Sequence, residues 1–223
     1  MSFVEVIGST YTAVLRCGKS GGRDLKGGRL PTLQPSLFEE PLLPGLAYRG
    51  ALIDEAEEAG LLEKLESVDV APFQFQGWTG KRETTSFGWR YDFDDASFAR
   101  TDPIPDWLEP LRGRASDFAN IPAEELVQAL VTRYAPGAGI GWHRDRPVFE
   151  EVVGISLGAA AAMRFRRRTG RGFERVLLPL LGRSAYHLSK EARHEWEHSI
   201  APIDARRWSI TFRSLSDKGR RVA

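Results

Sequence analysis

The sequence predicts an α+β chain with a mainly β core, in which amphipathic helices come first and a helix-supported antiparallel barrel or sandwich follows. Three observations carry that expectation. Apolar residues fall at helical spacing in two stretches of the first half of the chain. Beyond residue 130 the chain turns into short apolar and aromatic runs separated by Gly-rich or Pro-rich turns. The last run, Arg207-Trp208-Ser209-Ile210-Thr211-Phe212-Arg213, alternates polar and apolar residues without a break.

Taken in order, residues 1–30 read as a flexible arm, with Gly18, Gly21, Gly22, Gly27 and Gly28 among Lys and Arg. Gly18-Lys19-Ser20 resembles the end of a phosphate-binding P-loop, but Ala13 stands where that loop needs its first glycine, so the motif is excluded. Residues 42–48 end in a strand. Asp54 and Glu57 are spaced as a capping box, and Leu61, Leu62 and Leu65 follow at helical spacing. Aromatic, glycine and basic residues interleave over 73–93. Their composition slightly favours a surface hairpin packed on the domain, although such residues also stack on bases and meet phosphates. Trp107, Leu108, Leu111, Ala115 and Phe118 predict a second helix, and residues 121–130 a short third segment. Strands are expected over 131–134, 141–145, 152–157, 163–168, 173–181, 184–188 and 208–215. No repeat or linker divides the 223 residues, which make one domain from residue 31 onward.

Composition bounds the function. With 42% hydrophobic and 27% charged residues the chain reads as a soluble globular protein. A formal net charge of +1 excludes a global basic field, so any nucleic-acid contact must be a local patch. Cys17 is the single cysteine, which excludes an internal disulfide and suits a cytoplasmic protein. No apolar run approaches membrane-spanning length, and a monomer is expected.

The chemistry centres on Gly141-Trp142-His143-Arg144-Asp145. On an extended strand His143 and Asp145 point to one face and can share a metal ion. A third ligand stands downstream at His198. Two His and one carboxylate, with the opposite face open, form the donor set of non-haem Fe(II) oxygenases. His187 and His194 compete for the third place; the position of His198 ahead of the Arg207 strand, with Ser199-Ile200 after it, favours His198. On the last strand Arg207, Ser209, Thr211 and Arg213 share a face. That face would ordinarily meet solvent; lining a cavity instead, one arginine there suits a dicarboxylate. Thr132 and Tyr134 share a face upstream, where a tyrosine hydroxyl can donate to the same anion.

Together, Tyr134-Ala135-Pro136-Gly137, His143-x-Asp145, His198 and Arg207 with Arg213 resemble, in order and approximate spacing, the AlkB family of Fe(II)- and 2-oxoglutarate-dependent dioxygenases. The resemblance spans about residues 37–215 and is strongest over 131–215. It implies a double-stranded β-helix, or jelly roll, with a core over about 130–215, N-terminal supporting helices and a nucleotide-recognition lid over about 73–95. It implies Fe(II), 2-oxoglutarate and O2 as cofactor and cosubstrates. His143, Asp145 and His198 would be the catalytic iron ligands. Tyr134 and Arg207 would hold the distal carboxylate of 2-oxoglutarate, with Thr132, Ser209 and Arg213 beside the cosubstrate. Trp89 and Tyr91 would meet the substrate.

The implied reaction is oxidative demethylation of N-alkylated bases, of the 1-methyladenine and 3-methylcytosine type, releasing formaldehyde, succinate and CO2. The substrate would be alkylated single-stranded DNA or RNA, or a duplex with the base flipped out. Two departures stand out. Thr132 replaces an asparagine often found at the cosubstrate, and Pro147 replaces an acid that contacts substrate in some members, which leaves base choice open. The Arg-rich hairpin Met163–Arg171, with Arg166 and Arg168, reads equally as a phosphate-binding patch or as a charged edge strand. Two further readings stay in play: the same iron chemistry on a protein or small molecule, and a non-catalytic nucleic-acid-binding module. A zinc hydrolase would not need the anion-binding strand.

Overall fold

The computed structural model describes residues 42–223, apart from Gln76, Asp94 and the side chains of Phe75 and Trp78. The expected arm, Cys17 and the P-loop-like run lie outside the described residues. In chain order the elements are β1 (Leu46–Arg49), α1 (Glu55–Glu66), β2 (Ala71–Phe75), β3 (Trp78–Phe87), β4 (Trp89–Tyr91), β5 (Phe98–Arg100), α2 (Glu109–Ala119), β6 (Gln128–Tyr134), β7 (Ile140–His143), β8 (Phe149–Gly158), β9 (Ala161–Thr169), β10 (Gly172–Leu180), β11 (Ala185–Leu188), α3 (Lys190–His194), β12 (Glu197–Ile200), β13 (Arg207–Leu215) and α4 (Asp217–Val222). Among the described residues no helix is long and apolar enough to cross a membrane.

Two antiparallel sheets form the jelly roll. The larger runs β1-β11-β8-β13-β6-β3-β2 and the smaller β10-β9-β12-β7, while β4 and β5 make a separate hairpin. Strand β13 sits mid-sheet between β8 and β6, paired along nearly its whole length on both sides. Its Trp208, Ile210 and Phe212 pack with Val153, Ile155 and Leu157 of β8 against Leu65 of α1 and Leu111 and Ala115 of α2. Each such fully buried side chain stabilises the fold by about 1.5–3 kcal/mol. Helix α1 begins as the sequence spacing requires: the Asp54 carboxylate accepts from Glu57 N at 2.8 Å, and Asp54 N donates to Glu57 Oε2 at 3.0 Å.

The opposite face of the large sheet looks at the small one, and its residues line up in rows across the strands. One row is Arg82, Tyr134 and Arg207; the next is Thr84, Thr132, Ser209 and Ser156. A third is Ser86, Leu130, Thr211, Gly154 and Tyr186, and a fourth Gln128, Arg213, Val152 and Leu188. The polar face of β13 is therefore turned inward rather than to solvent.

Three expectations need correction. Residues 121–130 do not form a helical segment: a single 3-10 turn, Ala123–Glu125, gives way to β6 at Gln128, because pairing with β3 and β13 outweighs local helical preference. Of the surface hairpin expected over 73–93, β2 and β3 do pair, but β3 also pairs with β6, so the hairpin extends the large sheet rather than packing on the domain surface. Strand β12 was not foreseen; its four residues are held by partners on both edges, β9 and β7, and have no periodicity of their own.

Gly88 turns the chain from β3 into β4 with φ +79°, and a Cβ there would fall 2.0 Å from the Val127 carbonyl oxygen. Gly88→Ala is expected to destabilise the domain by roughly 2 kcal/mol or more, to be read from the midpoint of urea denaturation.

Candidate active site

His143 and His198 are directly opposed on β7 and β12, and their rings lie 4.3 Å apart between centroids. The β7 strand ends at His143, so Asp145 is not carried on the same strand as expected. It lies in the following loop, where its side chain is 7% exposed and Oδ1 accepts from Arg213 Nη2 at 2.6 Å. Oδ2 stands 3.6 Å from His198 Nε2. Nδ1 of His143 donates to the Gly141 carbonyl at 2.9 Å, a bond that turns Nε2 toward the triad.

The competing histidines are engaged elsewhere. His187, on the far face of the large sheet, is bonded to Glu151 at 2.6 Å, and His194 to Glu150 at 2.7 Å. His198 is the third member of the cluster.

Protonation suits metal binding. Burial lowers the pKa of His143, and burial with the neighbouring His143 lowers His198 to about 3, so both rings are neutral at pH 7. Burial pushes the Asp145 carboxyl up, but Arg213, His198 and His143 together reverse this and hold it well below the usual range, ionised. Among the described residues no three donors are already drawn in around a common point. The 3.6 Å gap slightly exceeds the about 3 Å between two cis ligands of one octahedral ion, a difference that small side-chain movements close. Two neutral imidazoles and a carboxylate, buried together in metal-binding form, fit Fe(II).

Farther along the inner face of the large sheet lies a buried arginine. Arg207 is 1% exposed; its Nε donates to Ser156 Oγ at 3.2 Å, and its guanidinium lies 5.0 Å from the Tyr134 ring centroid. Among the described residues its Nη1 has no hydrogen-bond partner. A buried guanidinium nitrogen left without an acceptor is costly until an anion arrives, and a carboxylate meets it in the right geometry. Thr132 and Ser209 are buried next to it in the hydroxyl row. Tyr186 borders the same space, its hydroxyl pushed up to about 12 by burial, with Asp145 and Tyr134 adding to the effect.

Triad, arginines and lid face one cavity of about 890 Å³. From the lid, Tyr91 and Phe93 pack edge to face at 5.3 Å, Phe73 meets Phe93 at 5.0 Å, and Arg82 lies 3.7 Å above the Phe73 ring. Arg146, just past Asp145, spreads over Tyr91 and Phe93 at 4.7 and 4.6 Å.

Three expected substrate residues are placed elsewhere. Trp89 is buried outside this cavity, stacked on Phe98 at 4.8 Å, while Tyr91 lines the cavity. Arg166 and Arg168 lie on the outer face of the small sheet, since Met163 and Phe165, at the alternate positions of β9, point inward, Phe165 toward His198. Arg166 is bonded to Glu197 at 2.6 Å. Sequence reasoning did not single out Phe93, Arg146 or Tyr186; for Tyr186 the signal was the alternation around His187, which puts the tyrosine on the opposite face.

Residues 67–220 match the 2OG-Fe(II) oxygenase superfamily. The chain belongs to that superfamily. Its members use Fe(II), 2-oxoglutarate and O2, and within the superfamily the chain is AlkB-like. It is 25% identical over 211 residues to the alpha-ketoglutarate-dependent dioxygenase AlkB of Salmonella typhimurium, covering 81% of this chain and 95% of that protein. It is 31% identical over 102 residues to the uncharacterized protein L905 of Acanthamoeba polyphaga mimivirus, a match over 40% of this chain that spans about half, 48%, of the viral protein. The solved structure of OsALKBH1 superimposes with a TM-score of 0.60 at 16% identity, over 78% of this chain and 99% of that one, and shares the jelly-roll fold.

If Arg213 holds Asp145 in place, Arg213→Met should weaken Mn(II) or Fe(II) binding about 10–100-fold in an anaerobic metal titration. In the same titration His198→Ala should lose the metal, while His187→Ala should bind it like the wild type.

Proposed function

We propose that this chain oxidatively demethylates N-alkylated bases of the 1-methyladenine and 3-methylcytosine type, in single-stranded DNA or RNA or in a duplex whose base is flipped out. One observation carries the reading. The Phe73, Tyr91 and Phe93 rings and the Arg82 and Arg146 guanidinium groups line the same cavity as His143, Asp145 and His198. Aromatic faces and guanidinium planes are what an unstacked base rests on.

Iron bound with 2-oxoglutarate and O2 supplies the oxidising power that turns an N-methyl group into a labile hydroxymethyl group, which is lost as formaldehyde. The chain's own side chains do the positioning. Arg207 and Tyr134 take the distal carboxylate of the cosubstrate, with Thr132 and Ser209 alongside. Arg213 keeps Asp145 ionised and in place. Met163 and Ile200, buried on the small sheet, give the cavity an apolar wall. The lid rings hold the base.

The test is release of succinate and formaldehyde with Fe(II), 2-oxoglutarate and a methylated single-stranded oligonucleotide. We expect equal amounts of both from the wild type and neither from His143→Ala. Succinate without formaldehyde would move the substrate to a protein or small molecule; neither product, with iron bound, would leave a nucleic-acid-binding module. Arg207→Leu should raise the KM for 2-oxoglutarate at least about tenfold, as loss of a hydrogen bond to a charged group does. Arg166 and Arg168 can contact only a strand that runs beyond the cavity. Arg166→Glu with Arg168→Glu is expected to weaken oligonucleotide binding and its salt dependence, and binding unchanged across a salt titration would retire that patch.

A further inference from the structure

We propose that Tyr186 is a wall of the cosubstrate pocket: lying across Gly154, its phenol limits the length of the dicarboxylate admitted and donates a hydrogen bond to it. The inference rests on the 2-oxoglutarate chemistry of the superfamily and not on the identity of the substrate.

Gly154 and Tyr186 are directly opposed on β8 and β11. A Cβ on Gly154 would fall 2.2 Å from Tyr186 Cζ and 2.4 Å from its hydroxyl oxygen, so the ring lies flat on the strand where any other residue would stand. A glycine inside a central strand weakens it and marks close approach by another group. Here that group is a tyrosine that is 8% exposed and borders the cavity.

Packing explains the ring but not the hydroxyl. Phenylalanine would cover Gly154 equally well. Among the described residues none hydrogen-bonds the Tyr186 hydroxyl, although buried tyrosines ordinarily find a partner. The row position supplies one. Tyr186 shares its row with Thr211, between the row of Arg213, which grips Asp145, and the rows that lead to Arg207. A dicarboxylate running from the metal donors to Arg207 passes this row. A neutral phenol there is a donor to it, and the ring takes up space that a longer chain would need.

The test is isothermal titration of 2-oxoglutarate, and separately of 2-oxoadipate, into the protein loaded with Mn(II), which binds without turnover. Tyr186→Phe should keep the wild-type melting temperature without cosubstrate and bind 2-oxoglutarate about tenfold more weakly. Tyr186→Leu should narrow or reverse the preference for 2-oxoglutarate over 2-oxoadipate. Wild-type affinity in Tyr186→Phe overturns the hydrogen bond, and wild-type discrimination in Tyr186→Leu overturns the wall. No binding by the wild type overturns the cosubstrate assignment and this proposal with it. Absence of formaldehyde in the demethylation assay leaves these titrations untouched.

Discussion

One buried ion pair ties the site to the fold. Asp145 stands in a loop, and what holds its carboxylate is Arg213, donated from the central strand at 2.6 Å. Breaking such a pair from one side typically costs about 3–5 kcal/mol, because the charge left behind is buried and uncompensated. Arg213 Nη1 donates to Gln128 Oε1 at 2.9 Å, and the Gln128 amide donates to the Trp89 carbonyl at 2.7 Å. Asp145, the middle of the large sheet and the start of the β4–β5 hairpin are thus links in one hydrogen-bonded chain. Trp89 contributes to the site through its backbone rather than through the ring that its position in the sequence suggested.

Strand β13 can serve both halves of the protein because neither of its faces meets water. Its apolar face needs α1 and α2 as a cover, which is why helices precede a β core. Its polar face carries groups that burial penalises unless something satisfies them. Arg213 finds Asp145. Among the described residues Arg207 keeps one nitrogen unpartnered, and Tyr186 lines the same cavity. A fold that keeps donors open in its interior is arranged for an anionic guest, and the superfamily's use of 2-oxoglutarate accounts for one.

The sequence by itself brought out His143, Asp145, Arg207 and Arg213 as candidates, since each of these motifs is short and its spacing is set within a strand or across one turn. It also determined the α1 capping box and the two faces of β13, because local hydrogen bonding and strand alternation are properties of neighbouring residues. The tertiary structure decided the rest. Which of three histidines joins the site depends on which strand opposes β7, and His187 and His194 find their carboxylates through contacts remote in sequence. Trp89 stacks on Phe98 outside the cavity while Tyr91 borders it, a difference set by how the β4–β5 hairpin packs after the positive-φ turn at Gly88. Arg166 turned outward and Tyr186 lying on Gly154 follow from strand register between distant segments. Register is a long-range pairing, and no local pattern encodes it.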